Sequence, residues 1–397
     1  MQEASELISR LSESATLAMA RISRELKAKG LDIISLSLGE PDFNTPDFIK
    51  EAAKKAIDDN YSHYPPVNGY VELREAIAMK FKRDNNLDYT ADQIIVSTGA
   101  KQSLANIVLS LVNEGDEVLL PAPYWVSYSE MVKVANGIPV AVTTTIEDDF
   151  KLTAAQLEAA ITSKTKLIIY SSPCNPSGSV YTREELESLA VVLRKHPQVL
   201  VVSDEIYELI NFTGAHASMG TLDGMYDRTI TVNGVSKGFA MTGWRLGYLG
   251  APLWIAQACA KIQGQFTSAP CGVSQMAAKA AVEADPSSVD FMKEAFLKRR
   301  DLMIEGLSKI DGLKINVPKG AFYIFPDASS YFGKSDGASV INNVTELCNY
   351  LLEKEHIALV TGEAFGDPNC FRISYAASEA ELKEAINRIK RALDQLK

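Results

Sequence analysis

The sequence predicts an α/β protein, with a mostly parallel sheet flanked by helices and a second, smaller α+β domain. Three observations support this. Strand-length runs of β-branched residues alternate with amphipathic helical stretches through the middle of the chain. That alternation gives way near residue 285 to long charged helices. Clusters of polar and small residues directly follow successive strand-like runs, as expected where a parallel sheet presents its carboxyl ends to a ligand.

In chain order, "QIIVSTGA" (93–100) reads as a strand feeding "KQSLANIVLSLV", whose Leu104, Ile107, Val108 and Leu111 recur at helical spacing. "KLIIYSSP" (166–173) is a second strand. Thr182-Arg183-Glu184-Glu185 then forms a capping box, and Leu186, Leu189, Ala190 and Leu193 line one helix face. "VLVVSDE" (199–205) and "TITVNG" (229–234) are further strands, and "LGYLGAP" is a short fifth. The stretch "FMKEAFLKRRDLMIEGLSKI", the strand-like "GAFYIFPD" and a final helix, "SEAELKEAINRIKRALDQLK", belong to the smaller domain. The expected division is a large domain over 46–284 and a small one formed by 1–45 and 285–397.

With 397 residues, 46% of them hydrophobic, the chain can bury a large core. A net charge of −10 argues against a nucleic-acid binder and against a protein held to membrane surfaces by basic patches. No apolar run is long enough to span a bilayer, and the N-terminus lacks the apolar stretch of a signal peptide, so the chain reads as soluble and cytoplasmic. Five cysteines without a C-x-x-C pair suggest reduced thiols, and four scattered histidines give no metal-ligand spacing.

The stretch "NGVSKGFAMTGWRLGYLG" (233–250) admits two chemistries. Gly234 to Gly238 spells G-x-S-x-G, the nucleophile elbow of a serine hydrolase, which would make Ser236 the nucleophile. An elbow requires a helix directly after the serine, an oxyanion segment and a partner histidine. No helical start follows here, and His356 is the only downstream histidine. Lysine chemistry fits better. Lys237 could form a Schiff base with pyridoxal phosphate, whose other needs have candidates in the chain. Asp204 at a strand end can hold the pyridine nitrogen protonated, and Tyr207 can donate to the ring oxygen. Ser236 and Arg245 suit the phosphate, as do the amide groups of a helix opening at Gly99 and Ala100, and Trp125 can stack on the ring.

Four ordered motifs, "SSPCNPSG", "VVSDEIYE", "NGVSKGFAMTGWRLGY" and "CFRISYA", resemble those of the class I aminotransferases, pyridoxal-phosphate enzymes of fold type I. The similarity runs from "LGEPDFNTP" to the C-terminus, and "STGAKQSL" and "PAPYWVSYSEMV" most resemble the bacterial aspartate aminotransferases of subgroup I-gamma. The resemblance implies that Lys237 carries the cofactor, that Asp204 faces its ring nitrogen, and that Tyr207 and Asn175 contact the ring oxygen. It implies that Arg372 clamps the substrate α-carboxylate, helped by Asn175 and the backbone at Gly39. Lys101 then becomes the partner of a distal carboxylate, with Thr16 a second candidate. Tyr64 would reach the phosphate of a neighbouring subunit, so a homodimer with shared active sites is expected. The implied reaction is reversible, ping-pong amino-group transfer between aspartate or glutamate and 2-oxo acids. The alternative is a relative acting on aromatic amino acids or prephenate. Cys174 and Ser177 depart from the family pattern, but both are small and compatible with the turn.

Overall fold

The computed structural model describes residues 5–214 and 216–397. Twelve strands run in chain order: β1 (Ile34–Ser35), β2 (Ile94–Ser97), β3 (Glu117–Ala122), β4 (Ile138–Thr143), β5 (Thr165–Ser171), β6 (Leu200–Asp204), β7 (Thr229–Gly234), β8 (Gly247–Gly250), β9 (Tyr323–Ile324), β10 (Ile357–Ala358), β11 (Val360–Thr361) and β12 (Phe371–Ser374). Seven of them form one sheet in the order β2-β8-β7-β6-β5-β3-β4. All its pairings are parallel except those of β8, which is antiparallel to both β2 and β7. Because β8 is reversed between them, β2 and β7 point the same way, and the carboxyl ends of β2, β5, β6 and β7 share one edge.

The central strands are buried along their length, which explains their near-continuous apolar runs. Helices cover both faces. Leu104, Ile107, Val108 and Leu111 of the helix Ala100–Leu111 pack on Ile95, Ile230 and Val232, while Leu186, Leu189, Ala190 and Leu193 pack on Ile168, Tyr170 and Val201. The predicted capping box forms at Thr182, whose hydroxyl accepts from the Glu185 N–H. Outside this sheet, β11-β12-β9 form a three-stranded antiparallel sheet, and β1 lies parallel to β10. The β1 segment thus joins residues near 34 to residues near 357. It continues past Leu36, whose carbonyl accepts from the Ser374 N–H at 2.9 Å.

Several elements differ from the sequence reading. The run 93–100 is strand only over Ile94–Ser97, and the helix opens at Gly99 (φ +83°) and Ala100 as expected. The short fifth strand, β8, runs against both neighbours and is the antiparallel member of the mostly parallel sheet. β3 and β4 were not anticipated; prolines at 121 and 139 mask their strand pattern, and β4 is a partly exposed edge. "GAFYIFPD" is strand only at Tyr323–Ile324, because Ala321 takes a left-handed conformation (φ +57°) and ends the ladder.

Candidate active site

At the shared carboxyl edge lies a cavity of about 320 Å³, reached by side chains from at least six segments. Asp204 is the last residue of β6, Asn175 follows β5, and Ser236 and Lys237 follow β7. Ala100 and Lys101 open the helix after β2, Arg372 lies on β12, and Gly39 comes from the segment after β1. Trp125, Tyr207 and Thr16 complete the predicted part of the wall. The segments that supply these positions are remote in sequence, and the topology gathers them.

Asp204 is buried, and its carboxylate accepts from the Tyr128 hydroxyl at 2.7 Å and from the Ile206 N–H at 3.3 Å. Burial pushes its carboxyl up to about 6; the Tyr128 and Ile206 donors oppose that, and the Glu205 charge adds to it. Lys237 faces the cavity, and its ammonium donates to the Gly39 carbonyl. Burial, then the Arg372 charge, bring that amine down to about 8, against the opposing pull of Glu40. A lysine so poised is far closer to its neutral, proton-accepting form than a surface lysine. The Tyr207 hydroxyl meets that of Tyr323 at 2.7 Å.

Arg372 is almost wholly buried. Its Nη1 donates to Asn175 Oδ1 at 2.9 Å, its Nη2 donates to the Ser37 carbonyl, and its Nε has no partner. The guanidinium lies 4.6 Å from the Tyr323 ring centroid and 5.0 Å from that of Phe365. The Lys101 ammonium sits 5.0 Å from the Trp125 ring, and burial followed by the Arg245 charge lowers its affinity for a proton. The Thr16 hydroxyl is buried without a partner. Arg245, in a left-handed conformation, donates to the Thr242 carbonyl at 2.8 Å and packs against Gly99. A Cβ on Gly99 would stand 2.6 Å from Arg245 Nη2. The guanidinium therefore lies beside the N-terminus of the helix Ala100–Leu111, with Ser236 on the same wall, a set of donors that could hold an anion; the Gly99 N–H itself donates to the Ser97 carbonyl at 2.7 Å.

Among the described residues, none of Lys101, Lys237, Arg245 and Arg372 forms an ion pair. Four cations therefore face a cavity whose only lining carboxylates are Asp204 and Glu40. Of the four only Arg372 is buried, while Lys237 is half-buried and Lys101 and Arg245 are exposed; four cations against two carboxylates on one wall favour anionic ligands. Tyr64 lies away from this wall and is fully exposed in the single chain. No histidine lines the cavity beside Ser236, and the chain after it makes a turn and then a single 3₁₀ turn at Thr242–Trp244, so the elbow geometry of a serine hydrolase is absent among the described residues.

Sequence reasoning missed Tyr128, Tyr323, Ser171 and Glu40, all of which line the cavity. Tyr128 was within reach. It stands three residues after Trp125, the spacing that puts two side chains on one side of a helical turn, and the rings meet edge-to-face at 5.5 Å. Tyr323 carried no local signal, because its partners Tyr207 and Arg372 are far away in sequence.

A lysine and an aspartate just past strand ends, beside a group of anion-binding donors, are the side-chain types that a pyridoxal-phosphate enzyme of fold type I needs. Residues 31–389 match the family "Aminotransferase class I and II", and the chain belongs to it. It is 50% identical over 389 residues to a Petunia hybrida protein named bifunctional aspartate aminotransferase and glutamate/aspartate-prephenate aminotransferase, covering 97% of this chain and 81% of that one. Among solved structures it superposes on the aspartate aminotransferase of Rhizobium meliloti with a TM-score of 0.96, at 43% identity over the whole of both chains. It superposes on that of Thermus thermophilus, solved with maleate, with a TM-score of 0.93 at 40% identity, covering 99% of this chain and 100% of that one.

Proposed function

We propose that this aminotransferase moves the amino group between aspartate or glutamate and 2-oxo acids. The observation that carries the proposal is the set of four unpaired cations around one cavity, Arg372 and Lys101 among them. A cofactor phosphate and a dicarboxylate would together supply the missing negative charge. The names of the Petunia, Rhizobium and Thermus relatives support the same substrate class.

The residues fit pyridoxal phosphate. Ser236, Arg245 and the backbone at Gly99 and Ala100 would hold its phosphate, Asn175 and Tyr207 its ring oxygen, Trp125 its ring face and Asp204 its ring nitrogen. Tyr64 would reach the phosphate from a second copy of the chain. When bound, the cofactor supplies the aldehyde that takes up the amino group and a ring that accepts the electron pair freed at the substrate α-carbon. Arg372, assisted by Asn175 and Gly39, holds the α-carboxylate and fixes which substrate bond faces Lys237. Lys237 Nζ takes the α-carbon proton and later returns one. Asp204 keeps a proton on the ring nitrogen, and Lys101, with Thr16, meets the distal carboxylate. Since the donor leaves before the acceptor enters, initial-rate kinetics are ping-pong. The protein works as a cytoplasmic homodimer, each subunit divided into a large domain (46–284) and a small one (1–45 with 285–397).

A second reading has specific support. The Petunia relative's name includes prephenate, which also carries two carboxylates, and Leu17 and Leu38 give the cavity an apolar, partly exposed rim. Transamination assays across aspartate, glutamate, phenylalanine and prephenate separate the two. Lys101→Ala should lower kcat/KM for aspartate by about 100-fold and leave phenylalanine within a few-fold, whereas Arg372→Ala should depress every substrate by about 100-fold or more. Equal losses on aspartate and phenylalanine in Lys101→Ala would remove Lys101 from the distal site.

A further inference from the structure

Behind Asp204, on the side away from the cavity, lies a buried cluster of charges with no part in the chemistry above. Glu205 follows Asp204 directly and is wholly buried. Its carboxylate accepts from Ser203 Oγ at 2.9 Å, Asn85 Nδ2 at 3.1 Å, Ser218 Oγ at 2.7 Å and a ring nitrogen of His216, Nε2, at 2.7 Å. Four polar contacts thus converge on this one carboxyl group. Glu208 takes Lys80 on one oxygen and Asn85 Nδ2 on the other at 2.6 Å, and Lys80 also lies 3.8 Å from Asp84. Arg83, partly exposed, pairs with Asp84.

Glu205, Glu208 and His216 place ligand-type atoms within 4.8 Å of one another, but the Lys80 ammonium already supplies a cation on Glu208. The charge count decides the role of His216. Lys80 and Arg83 offset two of the three carboxylates, Asp84, Glu205 and Glu208. One negative charge remains, buried one residue from Asp204, unless His216 carries a proton. An uncompensated buried carboxylate is strongly disfavoured. Among the described residues His216 Nδ1 has no hydrogen-bond partner, so Nε2 alone ties the ring to the cluster. The charged groups facing His216 are Glu205, Glu208 and, opposing them, Lys80. The charged groups around Asp204 are Glu205 and Lys237, and the neutral Tyr128 hydroxyl donates to it.

We propose that His216 is a positioning residue for transamination, an imidazolium that closes the charge balance of the Lys80–Glu205–Glu208 cluster and so sets the electrostatic field in which Asp204 holds the ring-nitrogen proton. The proposal rests on the reading of Asp204 as the partner of that nitrogen. His216 acts through Glu205 and touches neither substrate nor cofactor.

The test has two arms. In the cofactor-free protein, NMR titration of the histidine rings, with the His216 signal assigned from the His216→Gln/Glu205→Gln double variant, should give His216 a midpoint about one pH unit or more above the ordinary value of about 6.5. A midpoint at or below the ordinary value overturns the proposal. In the cofactor-loaded enzyme, the pH midpoint of the visible absorbance band is followed. His216→Gln should raise it by about 0.5 unit or more, and the double variant, which removes the paired charges together, should bring it back towards wild type. A His216→Gln midpoint equal to wild type, or one that the double variant does not restore, overturns it as well. If His216→Gln fails to fold, the titration of the wild-type protein and the double variant's midpoint decide. Failure of the underlying reading looks different: Asp204→Asn would then leave the absorbance band and its midpoint untouched.

Discussion

Asp204 combines two conditions that rarely coexist, complete burial and a carboxylate reserved for a cationic partner. Its carboxyl sits at about 6 because burial outweighs the donors Tyr128 and Ile206. The sign for stability follows from linkage. A folded-state value raised above the unfolded one means that the native state binds more protons between roughly pH 4 and 6, so Asp204 costs stability as pH rises through that window. The Asp204→Asn variant, measured without cofactor, should therefore be more stable than wild type by about 1–3 kcal/mol near pH 7.5 and by roughly half of that near pH 5. Thermal unfolding at the two pH values checks this, and an Asn variant less stable at pH 7.5 would show that the carboxylate is better compensated than its surroundings indicate. Lys237 carries the complementary strain, an amine lowered to about 8 by burial and by Arg372. Such groups exchange stability for reactivity, as active sites commonly do.

At the scale of elements, the turn from β2 into the helix Ala100–Leu111 depends on Gly99, which combines φ +83° with a side-chain position already filled by Arg245. Gly99→Ala should destabilise the protein by about 1–3 kcal/mol and, by pushing Arg245 aside, weaken cofactor retention about 10-fold or more. Equilibrium dialysis against pyridoxal phosphate measures the second effect, and unchanged affinity would detach Arg245 from the phosphate. The residues legible from sequence were those whose signal is local. Lys237, Asp204, Tyr207 and Ser236 each sit at or just past the end of a β-branched run, and Arg245 follows Lys237 by eight residues in the same motif. Arg372 became legible only through family resemblance, since its partners Asn175 and Ser37 are 197 and 335 residues away in the chain. For the same reason the Glu205–His216 pair escaped notice; a histidine eleven residues downstream reads as scattered until the fold returns it to 2.7 Å. The reversed strand β8 was invisible because a short apolar run carries no direction.

For the whole molecule, an acidic chain of net charge −10 maintains a cationic cavity because the opposing charges lie on an outer surface that salt screens within about 8 Å, whereas Arg372 and Lys237 act at short range. Tyr64 is fully exposed in the single chain. Sedimentation equilibrium should return twice the chain mass of 43.3 kDa, and a single-chain mass for the active enzyme would contradict a shared site. The central proposal is that Lys237 carries pyridoxal phosphate. Borohydride reduction of the cofactor-loaded protein followed by peptide mapping tests that claim most directly. The account predicts a single pyridoxyl label on Lys237; a label on another lysine, or none after incubation with the cofactor, would contradict it.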